Sequence, residues 1–130
     1  MIEQTELVVD EWIYIPPIYD VDSGDNITAA ISLEVMKKTA QTKKGIACRF
    51  SCKFRNGEKV ILLYVAQDSY VIDLEDKVDK REVLNMIRNS YSKFNEKFDF
   101  RKLGTILQHR TLTPLDEAGI DIDAILPLLN

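Results

Sequence analysis

The stretch IACRFSCKFRNGEKVILLYVAQDSYVID, residues 46–73, decides how the rest of the chain is to be read. Ile46, Cys48, Phe50, Cys52 and Phe54 alternate with Ala47, Arg49, Ser51 and Lys53. Successive strand side chains point to opposite faces, so this is a strand with one buried and one wet face. Asn56-Gly57 follows at once, and because both residues tolerate positive φ the pair signals a tight hairpin. The chain returns through residues 59–66, apolar after Lys59. A second apolar run, residues 70–74, follows the polar break Gln67-Asp68-Ser69, so a bulge or bend is expected over residues 66–69.

Working outward toward the N-terminus, residues 7–15 read as a strand. Val8, Asp10, Trp12 and Tyr14 face one way; Leu7, Val9, Glu11, Ile13 and Ile15 face the other. Pro16-Pro17 ends it, since neither proline can donate to a ladder. Residues 18–26 are rich in Asp, Ser and Gly and read as a surface loop. A second strand runs from residue 27 to about 36, with Ile27, Ala29, Ile31, Leu33 and Val35 on one face. Residues 37–45 are polar and fit the end of a long hairpin, its strands extending into residues 37–40.

Working toward the C-terminus, Asp79-Lys80-Arg81-Glu82 is a capping box that opens a helix. Leu84, Ile87, Tyr91, Phe94 and Phe98 step by three and four residues, an apolar stripe on one helix face. Phe100, Leu103 and Leu107 continue it in a second phase, which predicts a kink or break near Asp99. A helix continuous to His109 would be ~45 Å long at 1.5 Å per residue. That exceeds what a four-stranded sheet needs as cover, so the surplus stripe is expected to meet another subunit. Thr113-Pro114 and Gly119 mark a connector. Residues 121–126 then read as a short terminal helix capped by Asp121, with Pro127 in its first turn or ending it.

At 130 residues the chain is one domain, large enough to fold without disulfides or metal. A hydrophobic fraction of 45% and a charged fraction of 29% are ordinary for a soluble globular protein. A net charge of −4 argues against nucleic-acid partners, which call for a basic surface. No apolar run approaches the ~20 residues needed to span a bilayer, so no membrane insertion is expected. The acidic start, Met1 to Glu6, has no signal-peptide pattern, and a cytoplasmic location follows.

No catalytic constellation emerges. His109 is the single histidine, which leaves no triad and no histidine-rich metal site. It reads as a solvated or helix-capping group. Cys48 and Cys52 lie ~13 Å apart along a strand, beyond the ~7 Å that a disulfide allows, and read as small core residues. Asp20, Asp22 and Asp25 resemble half of a calcium loop but lack the closing glutamate, so turn chemistry is the reading. Asp116-Glu117 and the pair Asp121 and Asp123 read as loop and cap carboxylates. Lys37-Lys38 and Lys43-Lys44 read as a solvated hairpin. No glycine-rich phosphate loop exists, and no cofactor is expected. With no nucleophile, base or ligand cluster, binding is the favoured function. The apolar residues left over, Ile18, Tyr19, Leu112, Leu115, Ile120, Ile122, Ile125, Leu128 and Leu129, gather in two loops and the tail. They either dock the last helix or line a groove beneath it.

The layout is four antiparallel strands, a long helix, a connector and a short last helix. It resembles the SecB export-chaperone family over residues 7–129. Residues 60–72, an apolar run, a polar break and a second apolar run, resemble that family's fourth strand. Tyr91 falls where the family carries an aromatic early in its long helix. Leu112-Thr113-Pro114-Leu115 and residues 120–126 resemble its connector and the lead-in to its last helix. The resemblance implies an α+β fold of SecB type in a single domain, and an ATP-independent holdase that shields non-native polypeptide clients in apolar grooves. It places Tyr19, Tyr70, Leu112, Leu115, Ile122, Ile125 and Leu128 in the client groove. It also implies a homo-oligomer, a dimer or tetramer, with Trp12, Tyr14, Leu84, Ile87, Tyr91, Phe94 and Phe98 at the interface. Contact with the export motor ATPase is doubtful, because Val65 replaces an acidic docking residue and the family's polar tail is missing. A dedicated client such as an antitoxin fits better. An adaptor for one folded partner, or a small-molecule-binding protein, are the alternative readings.

Overall fold

Ile46, Cys48, Phe50, Cys52 and Phe54 are all buried on one face of a 14-residue strand, while the residues between them stand half-exposed on the other. The computed structural model describes residues 3, 4, 7–16 and 27–130. In chain order it contains β1 (Glu3–Gln4), β2 (Val8–Tyr14), β3 (Ile27–Ala40), β4 (Lys43–Asn56), β5 (Lys59–Asp73) and α1 (Lys80–Arg101). A single 3-10 turn (Glu117–Gly119) and α2 (Ile122–Leu129) follow. The fold is α+β: four long antiparallel strands carry one long and one short helix on the same face. The sheet order is β1-β5-β4-β3, and β2 also pairs with β5. One flank of the sheet is therefore β3, and the other is β2 followed by the two-residue β1, a strand the pattern did not suggest.

The long hairpin is real. β3 and β4 pair without interruption from Ile27↔Asn56 to Ala40↔Lys43 around Gln41 and Thr42. The second hairpin turns one residue later than Asn-Gly chemistry predicts. Asn56 pairs with Lys59, and Gly57 (φ 61°) and Glu58 are the central residues. The irregularity is also displaced. β5 pairs regularly through residues 66–69, and the register shifts between Phe54 and Arg55, opposite Leu62 and Val60. No bulge is needed at the polar break, because Asp68 keeps its inward position and is hydrogen-bonded there. A second shift, between Val9 and Glu11, breaks the expected alternation of β2. Val9 joins Trp12 and Tyr14 on the inner face, and Val8 lies on the outer face with Ile13.

Both halves of the predicted capping box are present: Glu82 N donates to Asp79 Oδ1 (2.8 Å) and Asp79 N to Glu82 Oε1 (3.2 Å). α1 has 22 residues, ~33 Å, and ends at Arg101 near the expected break. Lys102 holds the following turns: its Nζ donates to Asp99 Oδ1 (2.8 Å) and Arg110 O (2.7 Å). Leu107 then enters the core, while Phe100 and Leu103 remain exposed.

The apolar stripe of α1 is consumed within the protomer. Phe98 stacks on Phe54 (5.5 Å, 6°), Phe94 on Tyr64 (4.1 Å, 9°), and Tyr91 lies 5.2 Å from Phe50. Ile87, Phe94 and Phe98 have no exposed surface and Tyr91 is buried. These four cannot form an interface with another copy, contrary to expectation. The helix ends at Arg101, so the part of the stripe from Ile87 to Phe98 is short enough for the sheet to cover.

α2 is docked through Ile122 and Leu129. Pro127 sits neither in its first turn nor beyond its end but six residues in. That is tolerated because the helix closes immediately, with Asn130 N donating to Leu126 O (3.1 Å). Its C-terminal end is clamped twice. The buried Lys44 Nζ donates to Leu129 O (2.9 Å), and the Asn130 side chain exchanges two hydrogen bonds with the Val78 backbone (2.9 and 2.8 Å). Desolvation lowers the Lys44 pKa, with Lys37 adding repulsion. No helix among the described residues is long and apolar enough to cross a membrane.

Candidate functional site

A cleft of about 550 Å³ opens between β3 and the connector that leads into α2. Its floor is the inner face of the sheet flank: Ile31, Leu33 and Val35 of β3, with Phe50 of β4 and Tyr91 of α1 behind them. These β3 side chains stay half-exposed because α1 crosses further in, over β4 and β5. The opposite wall is Pro114, Leu115, Ile120 and Ile125. Its charged lining is acidic throughout, Glu34, Asp116 and Asp121, with no basic side chain.

Local hydrogen bonds set the connector's shape. Tyr91 Oη donates to Thr113 O and ties the start of the connector to α1. Burial raises the Tyr91 pKa, so the phenol stays protonated as a donor. Asp116 caps the 3-10 turn, accepting from Gly119 N (3.2 Å). A Cβ at Gly119 would lie 2.7 Å from Asp116 Oδ2, so any other residue there would displace the cap. Arg88 Nε donates to Glu117 Oε1 (2.6 Å) and fixes the turn to the helix from outside.

The residues assigned to a groove divide. Leu115 and Ile125 line the cleft. Leu112 and Ile122 are buried and hold the connector and α2 in place, so they present little surface to a ligand. Leu128 is exposed on the solvent side of α2. Tyr70 is a correction: it is buried, donating to Met86 O (2.8 Å) with Ser90 Oγ at 2.9 Å, and is not part of the cleft lining. Tyr19, Ile18 and the aspartates Asp20, Asp22 and Asp25 lie outside the described residues. Of the remaining interface residues, Trp12 and Tyr14 are half-buried on the β2 flank and Leu84 is half-buried on α1.

Ile31, Leu33, Val35 and Phe50 were not assigned to the site by sequence reading. The alternation of residues 27–35 was the available signal. It predicted an apolar strand face without revealing that the strand is an edge that α1 leaves uncovered.

A second polar cluster lies inside the core. Asp68 is fully buried and accepts from Ser90 Oγ (3.0 Å) and Ser69 N (3.1 Å), with Lys93 Nζ 3.7 Å away. It lines no part of the cleft and fastens α1 to β5. Cys48 stands opposite Asp68 in register, and burial pushes its thiol pKa up to about 11. Cys52 is pushed up to about 12 by burial alone. Both thiols are free. Among the described residues, no three His, Cys, Asp or Glu side chains gather as a metal site would require. No protein-family model matches the chain, and no curated protein matches it.

Proposed function

We propose that this protein is an ATP-independent holdase that shelters apolar segments of non-native polypeptides, in the manner of SecB-like chaperones. The observation that supports this is the cleft itself: a trough of about 550 Å³ open along a sheet flank, with Ile31, Leu33, Val35, Leu115, Ile120 and Ile125 facing it beneath an acidic rim. A trough of alternating aliphatic side chains shields exposed apolar chain without reading its sequence. On this reading the protein acts in the cytoplasm. A dedicated client, such as an aggregation-prone antitoxin, fits better than delivery to the export motor, since Val65 is apolar and buried on β5.

The same reading makes the protein a homo-oligomer, a dimer or tetramer, through a different surface from the one the stripe suggested. Phe100, Leu103 and Ile106 are exposed at the end of α1 and in the turns after it, beside the β2 flank. Ile106 N donates to Tyr14 Oη (3.1 Å), which joins those turns to the strand.

The decisive experiment is suppression of aggregation of several chemically denatured proteins of unrelated fold, without nucleotide. The wild-type chain should suppress it near stoichiometrically, and Leu33→Asp should not. Saturable binding to one folded protein only, with no suppression, would replace this reading by that of an adaptor.

A further inference from the structure

Five consecutive β3 residues, Ile31, Ser32, Leu33, Glu34 and Val35, line the cleft. Side chains of consecutive strand residues point to opposite faces, so one face alone cannot account for this. β3 is the last strand in the sheet order, so the cleft opens beside an edge where main chain as well as side chains is presented. Backbone parity identifies the groups concerned. Leu74 N donates to Thr42 O (2.8 Å), so even-numbered residues at the start of β4 turn their backbone toward β5. The odd-numbered ones turn toward β3, where they pair with even-numbered residues, as in Ala40↔Lys43, Glu34↔Arg49 and Ser32↔Ser51. The N–H and C=O groups of Ile31, Leu33 and Val35 therefore project from an edge that no described strand pairs. The side chains of the same three residues form the cleft floor. Among the described residues, no backbone hydrogen bond from outside the sheet reaches them.

We propose that the occupant of this cleft is an extended polypeptide segment from another protein, added as one more strand along residues 31–35 of β3. This rests on the chaperone reading and specifies how a client is held. Donors and acceptors alternating every second residue, ~6.7 Å apart, match only another extended main chain. Every second side chain of the added strand then sinks beside Leu33, toward Leu115, Ile120 and Ile125. The others face outward, over Ser32 and Glu34, and are unconstrained. Main-chain pairing supplies affinity without sequence, and the cleft asks only for alternating apolar side chains. A second copy of this chain is the poorer occupant. Edge-to-edge pairing of two β3 strands would bring both connectors and both α2 helices onto the same face, into the space each cleft needs.

The test uses the full chain and a fluorescein-labelled synthetic peptide in which leucine alternates with serine and lysine. Two derivatives carry N-methyl groups on alternate backbone nitrogens, one on each parity. The proposal expects one derivative to bind roughly tenfold or more weakly, and the other to bind like the parent. It also expects the amides of Ile31, Leu33 and Val35 to exchange freely in the unbound protein and to slow when the parent peptide binds. Equal binding of both derivatives overturns strand addition while leaving an apolar groove intact. Protection of those three amides without peptide overturns it too, since the edge would then be occupied from within the chain. If neither the parent peptide binds nor aggregation is suppressed, the chaperone reading fails and this proposal with it. Leu33→Pro separates backbone from side chain: it removes an outward N–H that β4 does not use, at an edge where proline is tolerated. It should abolish peptide binding, whereas Leu33→Ala should only weaken it several-fold. Equal loss in both variants overturns the main-chain contribution.

Discussion

Phe94 has no exposed surface, stacks on Tyr64 and lies 5.4 Å from Phe50, while its carbonyl accepts from Tyr64 Oη (2.9 Å). Removing such a ring deletes a large contact area and leaves a cavity that stacked neighbours cannot fill. Phe94→Ala should therefore cost about 3–5 kcal/mol in urea unfolding without changing the mass of the native particle. A cost near zero, with a drop in mass, would return Phe94 to an interface. The cysteines follow a similar logic. Strand parity alone placed both thiols in the core, and burial raises both pKa values, so native Cys48 and Cys52 should resist alkylation at pH 8 and react only after unfolding. The sign of the pH effect follows from the same shifts. Groups whose folded pKa is raised hold their protons more tightly in the native state. Their contribution is complete below pH 9 and is lost as pH rises toward about 11 and 12. The urea midpoint should fall across that window, and a rising midpoint would contradict the burial. Asp68 was not legible in this way. A lone aspartate in an apolar strand looks like a break, and it is the approach of Ser90 and Lys93 from α1, distant in sequence, that helps to make its burial acceptable.

At the scale of elements, the meander and the capped helix were legible because each is fixed by local chemistry: alternation, a glycine with positive φ, and a reciprocal cap. What was not legible depends on contacts distant in sequence. The stripe of α1 looked too long for its sheet because the helix was taken as continuous to His109, whereas α1 ends at Arg101 and the chain after it breaks into turns. The bulge fell at Ile61, opposite Phe54 and Arg55, rather than at the polar break because register answers to hairpin geometry as well as to hydrophobicity. The connector is the element on which the site depends most directly, and its anchor is the Tyr91 hydroxyl on Thr113 O. Tyr91→Phe keeps the ring beside Phe50 and deletes only that bond. It should cost about 1 kcal/mol and weaken client binding several-fold, with amide exchange rising first over residues 113–120. Unchanged exchange there would mean that the wall is held by packing alone. α2 behaves differently, because its anchor lies at the far end. Asn130→Ala removes two bonds to Val78 and should loosen the helix by about 1–2 kcal/mol, read as faster exchange of residues 125–129.

At the scale of the molecule, the two flanks of one sheet present different surfaces. The β3 flank carries a recess, half-covered by a wall that belongs to the same chain, so a guest strand can enter but a second copy fits poorly. The β2 flank presents a different surface. Its apolar residues stand proud, with Phe100 at 77% and Leu103 at 64% exposure beside the half-buried Trp12 and Tyr14. Flat, protruding apolar surface suits a rigid partner with the same surface, since symmetry can cover both at once. This division was only partly readable beforehand. Leftover apolar residues were evident in the composition of the tail and loops, but which flank each belonged to depended on sheet order, which no local pattern encodes. The double variant Phe100→Asp, Leu103→Asp tests the assignment. Neither side chain supports the core, so the thermal midpoint of the protomer should barely move. Light scattering should report the protomer mass for the variant and a multiple of it for the parent chain. The cleft lies on the opposite flank, so peptide affinity should survive while any gain from having several clefts on one particle is lost. A parent chain that already scatters as a single protomer would leave the β2 flank without a role in self-assembly, and the cleft would then have to hold its clients alone.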